Sequence, residues 1–395
     1  LADCFAMTSP RPPARPGSQA TAYVDLGAIE GNVRALRAHA PTAALMAVVK
    51  ADGYGHGLLP VAQAARRGGA TWLGTARLSE AITLRDNGIQ GRVLAWLAVP
   101  GAEFAACLER DIDLGVSAPW ALEEIVAAAR HTGRTARIHL KVDSGLGRAG
   151  AYAAGFTALL DAAVAAAREG TVQVVGVWSH LACADEPGHP SIRAQQRVFE
   201  EAVAETVRAG CELEVRHLAN SAATLTDPSL HYDLVRTGIA AYGLSPVPQL
   251  GDRATYGLTP AMTLVARLAL VKDVPAGQGV SYGHLYTTTE PTRLGLVPVG
   301  YADGIPRNAS TIGPLAVGGE RHRIAGRVCM DQVVVDLGPD SGAQAGDEVV
   351  IFGTGAAGEP TAQEWAVSTG TISYEIVTRL GPRVERVYFG SEEDG

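Results

Sequence analysis

Between residues 45 and 237 one unit recurs: a short run that is apolar at almost every position, then a longer stretch with helical spacing. The apolar runs fall near 45–50, 71–75, 92–97, 113–117, 137–142, 172–179, 214–219 and 233–237. Helical patterns separate most of them, among them 78–87, 119–131, 155–168 and 192–209. Runs that are apolar throughout suit strands covered on both faces, and strands alternating with helices build parallel sheets. Eight such units predict a (β/α)8 TIM barrel. The alternative is an open doubly wound sheet, against which no G-x-G-x-x-G turn follows the first run. The last crossover, 220–232, is short and weakly helical, the soft spot in the count.

The texture changes after about Tyr256. Short β-rich runs at 262–270, 294–298, 333–337 and 348–352 are punctuated by Gly and Pro, with one helix expected at 362–368. The expected organisation is a disordered tail over 1–20, rich in Pro, Ala, Arg and Ser, a barrel over 21–256 and a mainly β domain over 257–395. Within the barrel span, 23–26 reads as a short strand and 26–40 as an amphipathic helix. Met7 is a candidate start residue. The 395 residues suffice for two or three cores, and a net charge of -8 argues against a nucleic-acid binder. No apolar run is long enough for a membrane span. The cysteines number five and form no CxxC pair, so neither a disulfide framework nor a metal site is suggested and a reducing cytoplasm fits.

Chemistry in such a barrel gathers at the C-terminal ends of its strands. Lys50 ends the first run, and a glycine-rich turn with Gly53, Gly55 and Gly57 follows. A cation at the lip of a buried strand is costly. A lowered pKa relieves that cost and leaves an amine able to attack a carbonyl; snorkelling to solvent is the bland alternative. Tyr54 offers a hydroxyl for phosphate or a ring for stacking. Lys141 and Arg148 flank the fifth strand end, His180 the sixth, Asn220 and Ser221 the seventh, and Arg236, Gly238 and Ile239 the eighth. Ser221 and Gly238 lie after strands seven and eight, where barrels often bind phosphate, although Ser221 could equally cap a helix. Trp96, near the third strand end, suits packing as well as ligand contact. Three stretches of the β domain also stand out: Tyr282 after Ser281, Tyr301 in a turn-rich segment, and Cys329-Met330-Asp331 in an apolar setting. Tyr374 lies near the end of the chain. Tyrosines in such domains are more often packing.

Val48-Val49-Lys50-Ala51-Asp52-Gly53-Tyr54-Gly55-His56-Gly57 closely resembles the cofactor-attachment motif of the alanine racemases, and the resemblance extends from about Thr21 to the end of the chain. It implies a homodimer with shared active sites that uses pyridoxal 5'-phosphate, joined covalently to Lys50. By the same resemblance Tyr54, Ser221, Gly238, Ile239 and Tyr374 hold the phosphate. Arg236 faces the pyridine nitrogen, His180 backs it and Asn220 lies beside it. Arg148 binds the substrate carboxylate, and Lys141 matches a lysine that is carbamylated in several members. Tyr282 matches a second catalytic base; Tyr301, Cys329, Met330 and Asp331 match residues supplied by the partner subunit. The implied activity interconverts L- and D-alanine, supplying D-alanine for peptidoglycan.

The residue types suit that chemistry. Removal of an α-proton needs an electron sink, and inversion needs a base on each face of the planar carbon. Lys50 would serve the D face and Tyr282 the L face. An unperturbed tyrosine has a pKa of about 10, so positive charge from the His180–Arg236 pair is expected to lower it. Three alternatives remain: a racemase of serine or of several amino acids, a decarboxylase of the same layout, and a non-catalytic pyridoxal-phosphate-binding protein. Arg236 and Tyr282 disfavour the decarboxylase, and the whole second domain disfavours the last.

Overall fold

The computed structural model describes residues 11–13, 15 and 17–390. They divide into two compact units, one of 29–53 and 58–258, the other of the chain up to residue 28, 54–57 and 259 onward. Strand β1 (Ala20–Asp25) belongs to the second. The first unit holds eight parallel strands: β2 (Ala44–Val48), β3 (Trp72–Arg77), β4 (Arg92–Leu97), β5 (Asp113–Val116), β6 (Ala136–Lys141), β7 (Val172–Trp178), β8 (Val215–His217) and β9 (Leu234–Thr237). They are bonded in the order β8-β7-β6-β5-β4-β3-β2-β9. Across the remaining edge, Asp233 N–H donates to Arg216 O at 3.1 Å and Arg236 N–H to Ala219 O at 3.0 Å, which closes the ring. The eight-unit reading of the alternation is therefore correct.

The strands are buried on both sides, and Leu73, Leu94, Leu114, Ile138 and Leu140 are almost completely covered. Helices wrap them with ordinary punctuation. Helix Pro119–Thr132 starts with proline in its first turn and stops at left-handed Gly133. The weak last crossover is a short helix, Ser221–Thr226, followed by a 3-10 turn, Pro228–Leu230.

In the second unit β1 corrects the expected partition. It pairs antiparallel with β10 (Met262–Arg267), with Ala22 opposite Leu264, and parallel with the strand Glu385–Phe389. Its partners lie far along the chain, so its apolar run carries no mark of which sheet it joins. The expected run 262–270 is two strands, β10 and Leu270–Val274, broken where Leu268 N–H turns to Asp347 O. Two helices follow, Ala362–Thr369 with a Thr361–Glu364 capping box, and Ser373–Thr378, which the sequence pattern did not show. Residues 1–10 of the expected tail, with Met7, lie outside the described residues. Arg11 and Arg15 bond to Glu348 and Glu385. No described helix is long and apolar enough to cross a membrane.

Candidate active site

β2 stops at Val48, and Lys50 opens a turn of unusual hand. Ala51, Asp52 and Gly53 all lie near φ +55 and ψ +50, and Tyr54 has φ 52. Three ties hold this left-handed turn: Ala51 N–H to Glu80 Oε1 at 2.7 Å, Gly53 N–H to Val49 O at 2.9 Å, and Leu58 N–H to Asp52 Oδ1 at 2.8 Å. Burial lowers the pKa of the Lys50 amine, Arg148 and Arg236 add to the effect, and Glu80 opposes it.

The strand ends opposite bring more cations. Lys141, at the end of β6, is 5% exposed, and its amine is lowered to about 8 by burial, then by Arg236 and Arg148. Its Nζ lies 4.2 Å from the Trp178 ring centroid, and Arg236 Cζ lies 5.1 Å from it, both cation–π contacts. Trp96 packs in turn against Trp178, with ring centroids 5.8 Å apart. Arg148 is exposed, on a loop whose Gly145 and Gly147 amides both donate to Asp143 Oδ1. Arg148 and Arg236 lower the pKa values of both Lys50 and Lys141, and such a cluster marks a candidate functional site.

Arg236 is the most buried of the four, 4% exposed. It donates to Ser179 O at 2.7 Å and Leu218 O at 3.2 Å, and approaches His180 Nδ1 at 3.4 Å. His180 is held well below its usual pKa by burial first and by Arg236 second. The positive charge of this expected pair therefore resides on the arginine. On the other side Arg236 meets His217 Nδ1 at 3.2 Å, His217 Nε2 meets His139 Nδ1 at 3.0 Å, and His139 Nε2 meets Asp113 Oδ2 at 3.2 Å. Sequence reading passed over Asp113, His139 and His217. The signal was available: polar residues inside runs otherwise apolar enough to be buried.

At the last two strand ends Asn220 caps helix Ser221–Thr226 by accepting from Ala223 N–H at 3.1 Å. Ser221 is not the cap. Its Oγ accepts from Gly238 N–H at 2.8 Å and Ala240 N–H at 3.4 Å, which leaves the hydroxyl proton to donate. Ile239 follows, fully buried, at the start of the turn Ile239–Tyr242.

The second unit gathers the other candidates in two groups. Tyr54 is buried with its ring centroid 6.2 Å from that of Tyr374, and burial raises its phenol pKa. Tyr282 is 72% exposed on a 3-10 turn, directly after Ser281, whose φ is 61. Ser281 Oγ donates to Arg327 O at 2.7 Å and lies 3.4 Å from Cys329 Sγ. Tyr301 N–H bonds to Cys329 O at 3.0 Å and Ala302 N–H to Met330 O at 2.9 Å. Asp331 pairs with Arg383 at 2.7 Å. Gly300 permits this crossing, because a Cβ there would overlap the Cys329 and Met330 carbonyls.

Comparison with known proteins gives this arrangement a family. Residues 24–246 match the alanine racemase N-terminal domain and 261–388 the alanine racemase C-terminal domain. The alanine racemase of Frankia casuarinae is 58% identical over 95% of this chain and 98% of its own, and that of Streptomyces coelicolor 56% over 94% and 96%. The crystal structure of alanine racemase from Streptomyces lavendulae superposes with a TM-score of 0.94 at 60% identity, covering 96% of this chain and 99% of that one. The Bacillus anthracis enzyme with bound L-Ala-P gives 0.86 at 33% identity, over 96% and 97%. The chain is a member of the alanine racemase family.

Proposed function

We propose that the protein interconverts L- and D-alanine, with pyridoxal 5'-phosphate as cofactor. The observation that carries this reading is the place of Lys50, just past the end of β2 and among Lys141, Arg148 and Arg236, where burial and those cations disfavour its charged form. The donor set fits the cofactor: an amine for its aldehyde, hydroxyl and backbone N–H donors for its phosphate, and a guanidinium for its ring nitrogen. Lys50 would carry it, with Tyr54, Ser221, Gly238, Ile239 and Tyr374 at the phosphate, Arg236 at the nitrogen, and His180 and Asn220 beside the ring. When bound, the cofactor supplies the electron sink that makes the α-proton of an amino acid removable.

The chain's own groups do the rest. Arg148 binds the substrate carboxylate. Lys50 Nζ takes or returns the α-proton on the D face, and Tyr282 Oη does so on the L face. Arg236 accepts no proton, so it leaves the ring nitrogen unprotonated and restrains side reactions. Tyr282, Tyr301, Cys329, Met330 and Asp331 would come from the second subunit of a homodimer, and Lys141 would be carbamylated opposite Arg148. The setting would be the cytoplasm and the product D-alanine for peptidoglycan.

The test is incubation with L-alanine and pyridoxal phosphate in deuterium oxide, followed by separation of the enantiomers. Deuterated D-alanine is expected. Exchange into L-alanine without any D-isomer would remove Tyr282 from its role, and no exchange with cofactor bound would overturn the activity.

A further inference from the structure

We infer that Asp113 and His139 are positioning residues for Arg236, which they govern by fixing the tautomer of His217. The inference rests on the reading of Arg236 as the group at the cofactor's ring nitrogen.

The four groups form one buried chain. Asp113, His139 and His217 are 0% exposed and Arg236 4%. Burying so many polar groups is costly, and only complete pairing offsets the cost. Asp113 opens β5, His139 lies in β6, His217 ends β8 and Arg236 lies in β9. The chain therefore crosses the barrel interior from the N-terminal end of one strand toward the mouth.

Only one proton arrangement satisfies it. A guanidinium donates and never accepts. The His217 Nδ1 that faces it at 3.2 Å must present a lone pair, so the ring proton of neutral His217 is on Nε2. Burial, reinforced by Arg236, holds His217 well below its usual pKa and keeps it neutral. Nε2–H donates to His139 Nδ1 at 3.0 Å, which must therefore accept. The His139 proton is then on Nε2, where Asp113 Oδ2 accepts it at 3.2 Å. A doubly protonated His139 fails, because it would donate to His217 Nε2, push the His217 proton to Nδ1 and set donor against donor at Arg236. The carboxylate thus orders both rings. Arg137 fixes Asp113 from behind, Nε to Oδ1 at 3.0 Å, and itself reaches Glu214 at 2.6 Å. Space for His139 comes from Gly176, where a Cβ would overlap the imidazole.

The test is nitrogen NMR of the full-length apoprotein labelled with 15N-histidine, assigned with His139→Gln and His217→Gln. Both rings are expected as Nε2–H tautomers. His217 with its proton on Nδ1, or a doubly protonated His139, would overturn the proposal. Asp113→Asn, which can present either a donor or an acceptor to His139, is expected to give a tautomer mixture at His217. It should also weaken pyridoxal phosphate binding, read by absorbance titration, by about tenfold, as loss of an orienting outer partner does at metal sites. Glu214→Gln removes only the other partner of Arg137 and is expected to move neither readout. Equal weakening by Asp113→Asn and Glu214→Gln, with the His217 tautomer unmoved, would reduce Asp113 to part of the Arg137 ion-pair cluster. If Asp113→Asn does not fold, the wild-type tautomers decide alone. They are read without cofactor or substrate, so a failure of the racemase reading is seen separately, as absent turnover.

Discussion

Lys141 is a side chain whose folded surroundings oppose its own charge. Its amine is lowered to about 8 in the folded chain, against about 10.4 when unfolded. Between those values the unfolded chain binds more protons, so stability rises with pH across that window and the penalty is fully present below about 8. Lys141→Met, which keeps the stem and drops the charge, should therefore stabilise the apoprotein at pH 7 by about 3 kcal/mol, and the gain should vanish by about pH 10.5. Chemical denaturation at both pH values checks this; equal effects at both would mean that charge is not the cause. The same lowered pKa leaves part of Lys141 as a free amine near neutrality, able to add carbon dioxide, and a carbamate carbon signal from 13C-bicarbonate is expected in the wild type and lost in Lys141→Met. Arg236 carries a second residue-level expectation. Arg236→Glu supplies a group that can hold a proton at the ring nitrogen, so transamination of alanine should rise several-fold relative to racemisation. Unchanged partitioning in a folded variant would sink that account. Lys50 and Arg236 were legible because a charge at or near the end of an apolar run is conspicuous. Asp113, His139 and His217 were passed over although they stand in such runs, because the partners that give them meaning lie on other strands, far along the chain.

The turn from Lys50 to Tyr54 is the element where local preference and fold disagree most. Left-handed helical conformation costs an L-residue with a side chain roughly 1–2 kcal/mol, and Ala51, Asp52 and Tyr54 all adopt it. Glycines at 53, 55 and 57 announced a tight turn, but nothing in Ala51 or Asp52 announced its hand. The strain persists because other elements impose it. Glu80 accepts Ala51 N–H with Oε1 and, with Oε2, Ala76 N–H at 3.2 Å and Arg77 N–H at 3.1 Å, tying the turn to the start of helix Leu78–Asp86. Glu80→Ala should cost about 0.5–2 kcal/mol, as loss of a helix-capping side chain does. It should also lower the Lys50 pKa further, since Glu80 is the charge that raises it. Amine-labelling rates of Lys50 against pH would show the second effect; an unmoved profile would mean that Glu80 acts only as a helix cap. Helix Ser373–Thr378 escaped sequence reading for a simpler reason. Six residues are too few to display a helical period.

At the scale of the molecule, the barrel was legible because its information is periodic and local, each apolar run reporting its own burial. The place of β1 was not, because pairing with strands more than two hundred residues away leaves no trace in six residues of sequence. The subunit arrangement belongs to this scale as well. Tyr282 is 72% exposed, Met330 54%, Leu285 50% and Tyr301 42%, all in the second unit. The proposed second subunit would cover these side chains. A phenol open to water is also poorly suited to act as a base in a dry site. If each site takes Lys50 from one subunit and Tyr282 from the other, Lys50→Ala and Tyr282→Phe homodimers should both lack racemase activity. A hybrid of the two has one site with both groups intact and one with neither. Random pairing makes half the dimers hybrid, so an equal mixture should recover about one quarter of the wild-type activity per dimer, as a two-fold symmetric dimer requires. Differently tagged subunits, purified through both tags, would raise that to about one half. Purified hybrids with no more activity than their parents would mean that Lys50 and Tyr282 serve a site within one subunit, and the dimer would then be dispensable for the chemistry.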